Sequence, residues 1–241
     1  MLLKRILMLS ALVLVFALPA RAEVIGVYGG LKFIDAIQGT GAISKSNLGG
    51  QALGFNGLGV DSYSQNTVGG GVFLGYDFSP KFQTPVRVEL EYAIRTNMGT
   101  EWSVTHPLFP ASHNIKAEWN LQTLFANVYL DFHNSTAFTP YIGGGLGMGF
   151  IHNSYKAEFP LLAQLGMDPE YISKSKLNTV FAWNFGAGCS YAFTENFSLD
   201  LAYRFVGLGY NEMSATAWGE KVKIGTSPYA HEFSLGARFT F

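Results

Sequence analysis

The stretch that decides the fold is "VRVELEYAIR", Val86 to Arg95. Val86, Val88, Leu90, Tyr92 and Ile94 alternate with Arg87, Glu89, Glu91 and Arg95. A period of two marks a strand with two unlike faces. Alternation alone leaves open which face is turned inward, so the direction has to come from the rest of the chain.

The first residues, "MLLKRILMLSALVLVFALPARA", combine basic Lys4 and Arg5 with an apolar run from Ile6 to Leu18 and the small-x-small triplet Ala20-Arg21-Ala22. That is the pattern of a cleaved signal peptide, residues 1–22, which leaves a mature domain over 23–241 beginning at Glu23. The apolar run is short for a spanning helix. A chain exported this way is expected in the bacterial outer membrane if its mature part is built for lipid.

The composition points there. Without Lys4, Arg5 and Arg21 the chain has 13 basic and 17 acidic residues, so no positive footprint for nucleic acid is expected. Charged residues make up only 14%, against roughly 25% in soluble domains. Glycine (28 residues) and aromatics (15%) are plentiful, yet no mature segment is apolar for long enough to span a membrane as a helix. Cys189 is the sole cysteine, which excludes an internal disulfide.

Period-two segments recur near 24–34, 67–78, 86–95, 118–132, 141–151, 179–193, 198–206 and 230–241. Each is near or above the roughly 9–11 residues a tilted strand needs to cross a bilayer. Short turn-like connections ("SPKFQT", "HNSTAFT", "TENF") alternate with long ones near 35–66, 96–117, 152–178 and 207–229. The expected fold is therefore all-β: an eight-stranded antiparallel up-and-down transmembrane β-barrel with short periplasmic turns and long extracellular loops. Ten strands would result if the first long loop held a hairpin, but "SKSNLGGQALGFNGLGVDSYS" keeps no sustained alternation.

One face of these segments collects Leu31, Phe33, Val72, Leu74, Leu124, Val128, Leu146, Met148, Phe181, Trp183, Leu201, Tyr203, Phe233 and Leu235. The opposite face is largely glycine in three strands: Gly69, Gly71 and Gly75; Gly143, Gly145, Gly147 and Gly149; Gly186 and Gly188. Glycine weakens a strand and has no use on a solvent-facing surface. A narrow eight-stranded bore needs small residues opposite large ones. The glycine face is therefore the inside, and the charges of "VRVELEYAIR" point into the lumen. A barrel-interior charge network is expected from Lys32, Arg87, Glu89, Glu91, Arg95, Asp200, Arg204, Glu232 and Arg238. Asp77 and Asp131 fall near the periplasmic rim, where water can reach them.

The last residues, "HEFSLGARFTF", carry aromatic or apolar side chains at every second position back from Phe241. Together with "FANVYLDF", "PYIGGGLGMGF" and "WNFGAGCSYAFTENFSLDLAYRF" they resemble the small outer-membrane β-barrel superfamily, which includes the OmpA transmembrane domain, OmpX-like proteins and Opa-like surface antigens. The resemblance covers essentially residues 23–241. It implies that Phe239 and Phe241 form the signal read by the barrel-assembly machinery. It also implies a setting of outer-membrane lipids and lipopolysaccharide, and a function in adhesion, envelope stability or narrow conduction.

Chemistry is sparse. In "FIHNSYKAE", His152 and Ser154 lie two apart, a spacing similar to the His-x-Ser pair of barrel-type lipid A deacylases. Tyr155 follows, and the acidic residue, Glu158, is close by, unlike that pattern. Polar residues opening a loop are the plainer reading, and no enzyme is expected. "GGGLGMG" (Gly143 to Gly149) lies within a strand and lacks the Lys-Ser/Thr of a phosphate loop. His106, His113, His133, His152 and His231 show no zinc spacing, so no metal and no cofactor are expected. Aromatics such as Tyr76, Trp119, Trp183, Tyr191 and Tyr203 suit interfacial girdles.

The long loops are the expected functional surface. Candidate contact residues are Phe55, Leu58, Trp102, Phe109, Leu161 and Leu162. They would touch a host receptor, another envelope protein or a lipid-like ligand, or pack against one another as a cap. The reading is a monomeric surface-exposed interaction protein anchored by its barrel. The alternative is a narrow OmpW-like channel for small or apolar molecules.

Overall fold

The computed structural model describes residues 26–41, 43–47, 63–106, 109–158, 160–168, 170–217 and 220–241. The expected leader and the loop positions Phe55 and Leu58 lie outside the described residues. Twelve strands are formed: β1 Val27–Gly39, β2 Ile43–Asn47, β3 Ser64–Asp77, β4 Val86–Arg95, β5 Met98–His106, β6 Phe109–Asp131, β7 Phe138–Glu158, β8 Glu170–Ala192, β9 Phe197–Leu208, β10 Asn211–Ala217, β11 Glu220–Thr226 and β12 Tyr229–Thr240. Two short helices, α1 Ser79–Phe82 and α2 Pro160–Gln164, sit in connections.

Eight of the strands close an antiparallel barrel in the order β1-β3-β4-β6-β7-β8-β9-β12. β12 returns to β1, with Tyr28 opposite Thr240 and Lys32 opposite Gly236. β4 pairs with β6 from Val86↔Leu130 to Ile94↔Gln122, which removes the free edge an open sheet would present. The opening stretch is the whole of β4, and its inward residues are buried one after another while its outward residues are exposed. Leu90 is 57% exposed and Glu91 is fully enclosed. A soluble fold would reverse that pattern.

The bore is filled by matching rings to glycines across neighbouring strands. Tyr28 lies opposite Gly75, Tyr129 opposite Gly143, and Tyr141 opposite Gly188. A Cβ at any of these three glycines would overlap the facing tyrosine ring. Large and small residues thus share the narrow interior in pairs.

The strands run past the bilayer on the side of the long loops. β7 has 21 residues and β8 has 23, paired from Phe138↔Tyr191 to Glu158↔Glu170. About 9–11 residues suffice to cross the membrane, so roughly half of this hairpin projects above it. β5 and the first part of β6 extend the wall on one side, from Met98↔Trp119 to Thr105↔Ser112. On the other, β10, β11 and β2 form a separate three-stranded sheet that ties the last long connection to the first.

The structure therefore differs from the sequence reading in the loops. Much of 96–117, 152–178 and 207–229 is strand, because these segments continue ladders already begun in the barrel. Trp119 also departs from the expected lipid girdle. It is partly buried and packs on the apolar cluster inside the outer mouth.

Candidate functional site

Two regions can carry function, the lumen and the projecting loops. The lumen is layered. At the periplasmic end Arg87 donates to both oxygens of Asp131, at 2.6 and 2.9 Å. Its guanidinium also lies 5.1 Å from the Tyr129 ring centroid and 4.9 Å from that of Tyr141. Asp131 is 5% exposed. The expectation that it is solvated at the rim is corrected, because the tyrosines shut water out and the arginine takes both its oxygens. Asp77, by contrast, caps the turn into α1 by accepting the Ser79 N–H at 2.8 Å.

The middle layer is a continuous ionic chain. Lys32 Nζ lies 2.5 Å from Glu91 Oε2 and 3.4 Å from Glu89 Oε1. Arg204 donates to both oxygens of Glu91 and, at 2.7 Å, to Glu232. Arg95 completes the chain on the other Glu232 oxygen at 2.5 Å and donates to Thr123. Arg238 sits apart, donating to Ser198 at 3.0 Å and Ser190 at 2.8 Å, with Asp200 3.6 Å away. All nine residues expected to carry charge inside are thus brought into the lumen, with Asp131 as a tenth. Each positive group has an acidic neighbour, so no single-sign ring remains to filter ions.

Above the ionic layer the bore turns apolar. Leu121, Phe125, Ile151, Val180, Val206 and Leu208 form one buried cluster. Below it, a small cavity of about 40 Å³ lies among Lys32, Arg87, Glu89, Asp200 and the glycine wall at Gly143 and Gly186. One Asp200 oxygen is enclosed there without a hydrogen-bond partner. The cavity has room for a few waters. The interior rings were not assigned from the sequence. Their signal was the parity of Tyr28, Phe73, Phe125, Tyr129 and Tyr141, which becomes informative only once register sets three of the tyrosines opposite glycines.

Of the candidate loop residues, Leu161 is in α2 and 42% exposed. Leu165 and Met167, just beyond the helix, are more exposed still and were not singled out. Leu162 also falls in α2, Trp102 in β5 and Phe109 at the start of β6; the side chains of these three lie outside the described residues. Above the membrane, Lys116 pairs with Glu101 at 2.9 Å, and that bond, with the charge behind it, raises the lysine's pKa. His152 faces outward, and its Nε2 lies 2.9 Å from Ser175 Oγ on β8. Its hydrogen-bond partner is on the neighbouring strand, and is not Ser154. At the other end, Phe239 packs on Phe241 with ring centroids 5.2 Å apart, and the Phe241 N–H donates to Val27 at 2.9 Å.

This architecture matches known proteins. The family model described as "Outer membrane protein beta-barrel domain" matches residues 8–241. The outer membrane protein PagN of Salmonella typhimurium is 34% identical over 184 residues, 74% of each chain. A protein of Rickettsia conorii, named as a candidate adhesin, is 25% identical over 130 residues, 53% of this chain and 51% of its own. Among solved structures, OprG of Pseudomonas aeruginosa superposes with a TM-score of 0.52 at 17% identity, covering 90% of this chain and 98% of its own. The protein is an integral barrel of the bacterial outer membrane, surrounded by membrane lipid. The chain belongs to the outer membrane protein beta-barrel domain family.

Proposed function

We propose that the barrel is a closed anchor and that the β7–β8 hairpin presents a contact surface to a partner outside the cell. The observation carrying this reading is the hairpin itself: 21- and 23-residue legs ending in exposed Leu161, Leu165 and Met167. Apolar side chains held well clear of the membrane fit a protein-contact patch. The name of the Rickettsia relative points the same way. On this reading the partner is a host or envelope protein, the protein is monomeric, and it is not an enzyme. Phe239 and Phe241 serve assembly, and residues 1–22 serve export.

The test replaces residues 160–168 with a Gly/Ser linker and compares adhesion of bacteria expressing each form to cultured epithelial cells. Adhesion should fall while the amount of folded barrel stays constant. Unchanged adhesion would remove the hairpin from the function.

A second reading, a narrow channel, draws on the 40 Å³ cavity. The ionic chain and the apolar cluster above it both obstruct the bore. In a planar bilayer the purified barrel should show no steady ohmic steps, and stable steps would favour the channel.

A further inference from the structure

The lipid-facing side of β1 carries a polar feature that neither the anchor nor the loops use. Asp35 lies on the outward face of β1, opposite Val68 of β3 and Phe233 of β12. The sequence reading placed it in a loop and left the outer face nearly free of charge; the ladder carries β1 on to Gly39 and sets a carboxylate among apolar neighbours. Its Oδ1 is enclosed without a hydrogen-bond partner among the described residues, while the residue as a whole is only half-buried. A half-buried carboxylate on a lipid-facing wall is stabilised by a cation that approaches it from the membrane.

The surroundings indicate the chemistry of that partner. Diagonal to Asp35 on the same face is His231, which pairs with Ile37 on β1 and Phe205 on β9. The His231 ring is stacked on Tyr203, with Tyr203 Oη 2.8 Å from Nδ1. Phe205 and Tyr229 meet the same ring edge-on, at 5.2 and 5.6 Å. Phe233 packs on Tyr203 with centroids 5.1 Å apart. An aromatic platform beside a half-buried carboxylate is what recognises an ammonium group, through ring faces and a charge-assisted hydrogen bond. His231 is two residues past the start of β12, at the end of the barrel that carries the long loops, which is headgroup depth in the outer leaflet.

We propose that Asp35 and the rings around His231 form a binding site for the ammonium of an amine-bearing lipid headgroup. The carboxylate takes the ammonium while Tyr203, Phe205, Tyr229 and Phe233 line its approach. The lipid's acyl chains then lie along the apolar wall below, over Phe33 and Leu235, both more than half exposed.

The mature barrel, folded in detergent, is mixed with phosphatidylethanolamine, with N-acetyl phosphatidylethanolamine, or with phosphatidylglycerol, and lipid adducts are counted by native mass spectrometry. N-acetylation keeps the phosphate and removes the ammonium. Phosphatidylethanolamine should be retained about tenfold more than either of the others, the size expected for one charged hydrogen bond. Asp35→Asn should abolish the preference, and Phe233→Leu should reduce it with the acid intact; gel mobility reports folding of each variant. Equal retention of the three lipids would overturn the site, as would an undiminished preference in folded Asp35→Asn.

Discussion

Arg204 on β9 grips Glu91 on β4 through two hydrogen bonds, 2.7 and 2.9 Å long. The two strands are four places apart in either direction around the barrel, so the pair spans its full diameter. Ladder hydrogen bonds join neighbours only, whereas this contact joins opposite walls. Glu91 also holds Lys32, which makes it the acid that two buried cations share.

Removing that acid should be severe. Glu91→Ala takes the shared acid from Lys32 and Arg204, so that Lys32 keeps only Glu89 at 3.4 Å and Arg204 and Arg95 must share Glu232; it is expected to cost about 3–5 kcal/mol. Replacing both Glu91 and Arg204 with methionine should be milder, because Lys32 then keeps Glu89 and Arg95 keeps Glu232. Urea unfolding in lipid vesicles measures both. A double variant as unstable as Glu91→Ala would mean the network has a value beyond neutralising its own members.

The ring-to-glycine matching yields a contrast within one strand. Gly75 faces inward, where a Cβ would overlap the Tyr28 ring and crowd the Val88 carbonyl. Gly70 faces lipid, and the nearest atom to its Cβ would be the Lys32 carbonyl oxygen at 3.4 Å. Gly75→Ala should destabilise by about 1–3 kcal/mol, as overpacking does, and Gly70→Ala should be nearly neutral. Their unfolding midpoints, measured side by side, check this.

The direction of β4 can be tested at adjacent residues. Val88→Arg places a cation in lipid just inside the periplasmic end and should cost about 1–2 kcal/mol, between the interfacial and midplane values, whereas Val88→Leu should be tolerated. Arg87→Leu should also impair refolding, because Asp131 is left among tyrosines with no cation. If both charge changes refolded normally in detergent, the assignment of inside and outside would fail.

The hairpin tip should be separable from stability. Leu165→Ser combined with Met167→Ser lies in exposed positions and should move unfolding by less than about 0.5 kcal/mol, while adhesion to cultured cells falls. Loss of folded protein from these two changes would place the tip in the structure and remove it from the contact surface.

The barrel was legible because its signals are local. Period two, glycine on one face and turn residues at alternate intervals need only a few residues each: "VRVELEYAIR" shows a strand with two unlike faces, and the glycine face of other strands tells which of them is inside. The pairing of its charges was not legible. Glu91 meets a residue 113 positions away, and no spacing in the sequence encodes that distance before the register is known. Asp35 was misplaced for a related reason. Its neighbours "IDAIQGTGA" weaken the alternation, and β1 is extended there by ladders to Val68 and Phe233 and not by its own pattern. β2, "ISKSN", has no apolar stripe at all; its place comes from β11.

The ladder that runs from the membrane into the hairpin, with one register shift between Ala157 and Glu158, has a thermodynamic consequence. A binding loop that is disordered when free must give up conformational freedom as it docks, and that loss is subtracted from affinity. Here the freedom is already surrendered on folding, since the legs of the tip are paired out to Glu158 and Glu170. Association should therefore show a small entropic penalty and a heat-capacity change set by the apolar area buried at α2. Such a contact gains selectivity from a fixed shape and loses the ability to mould itself to many partners.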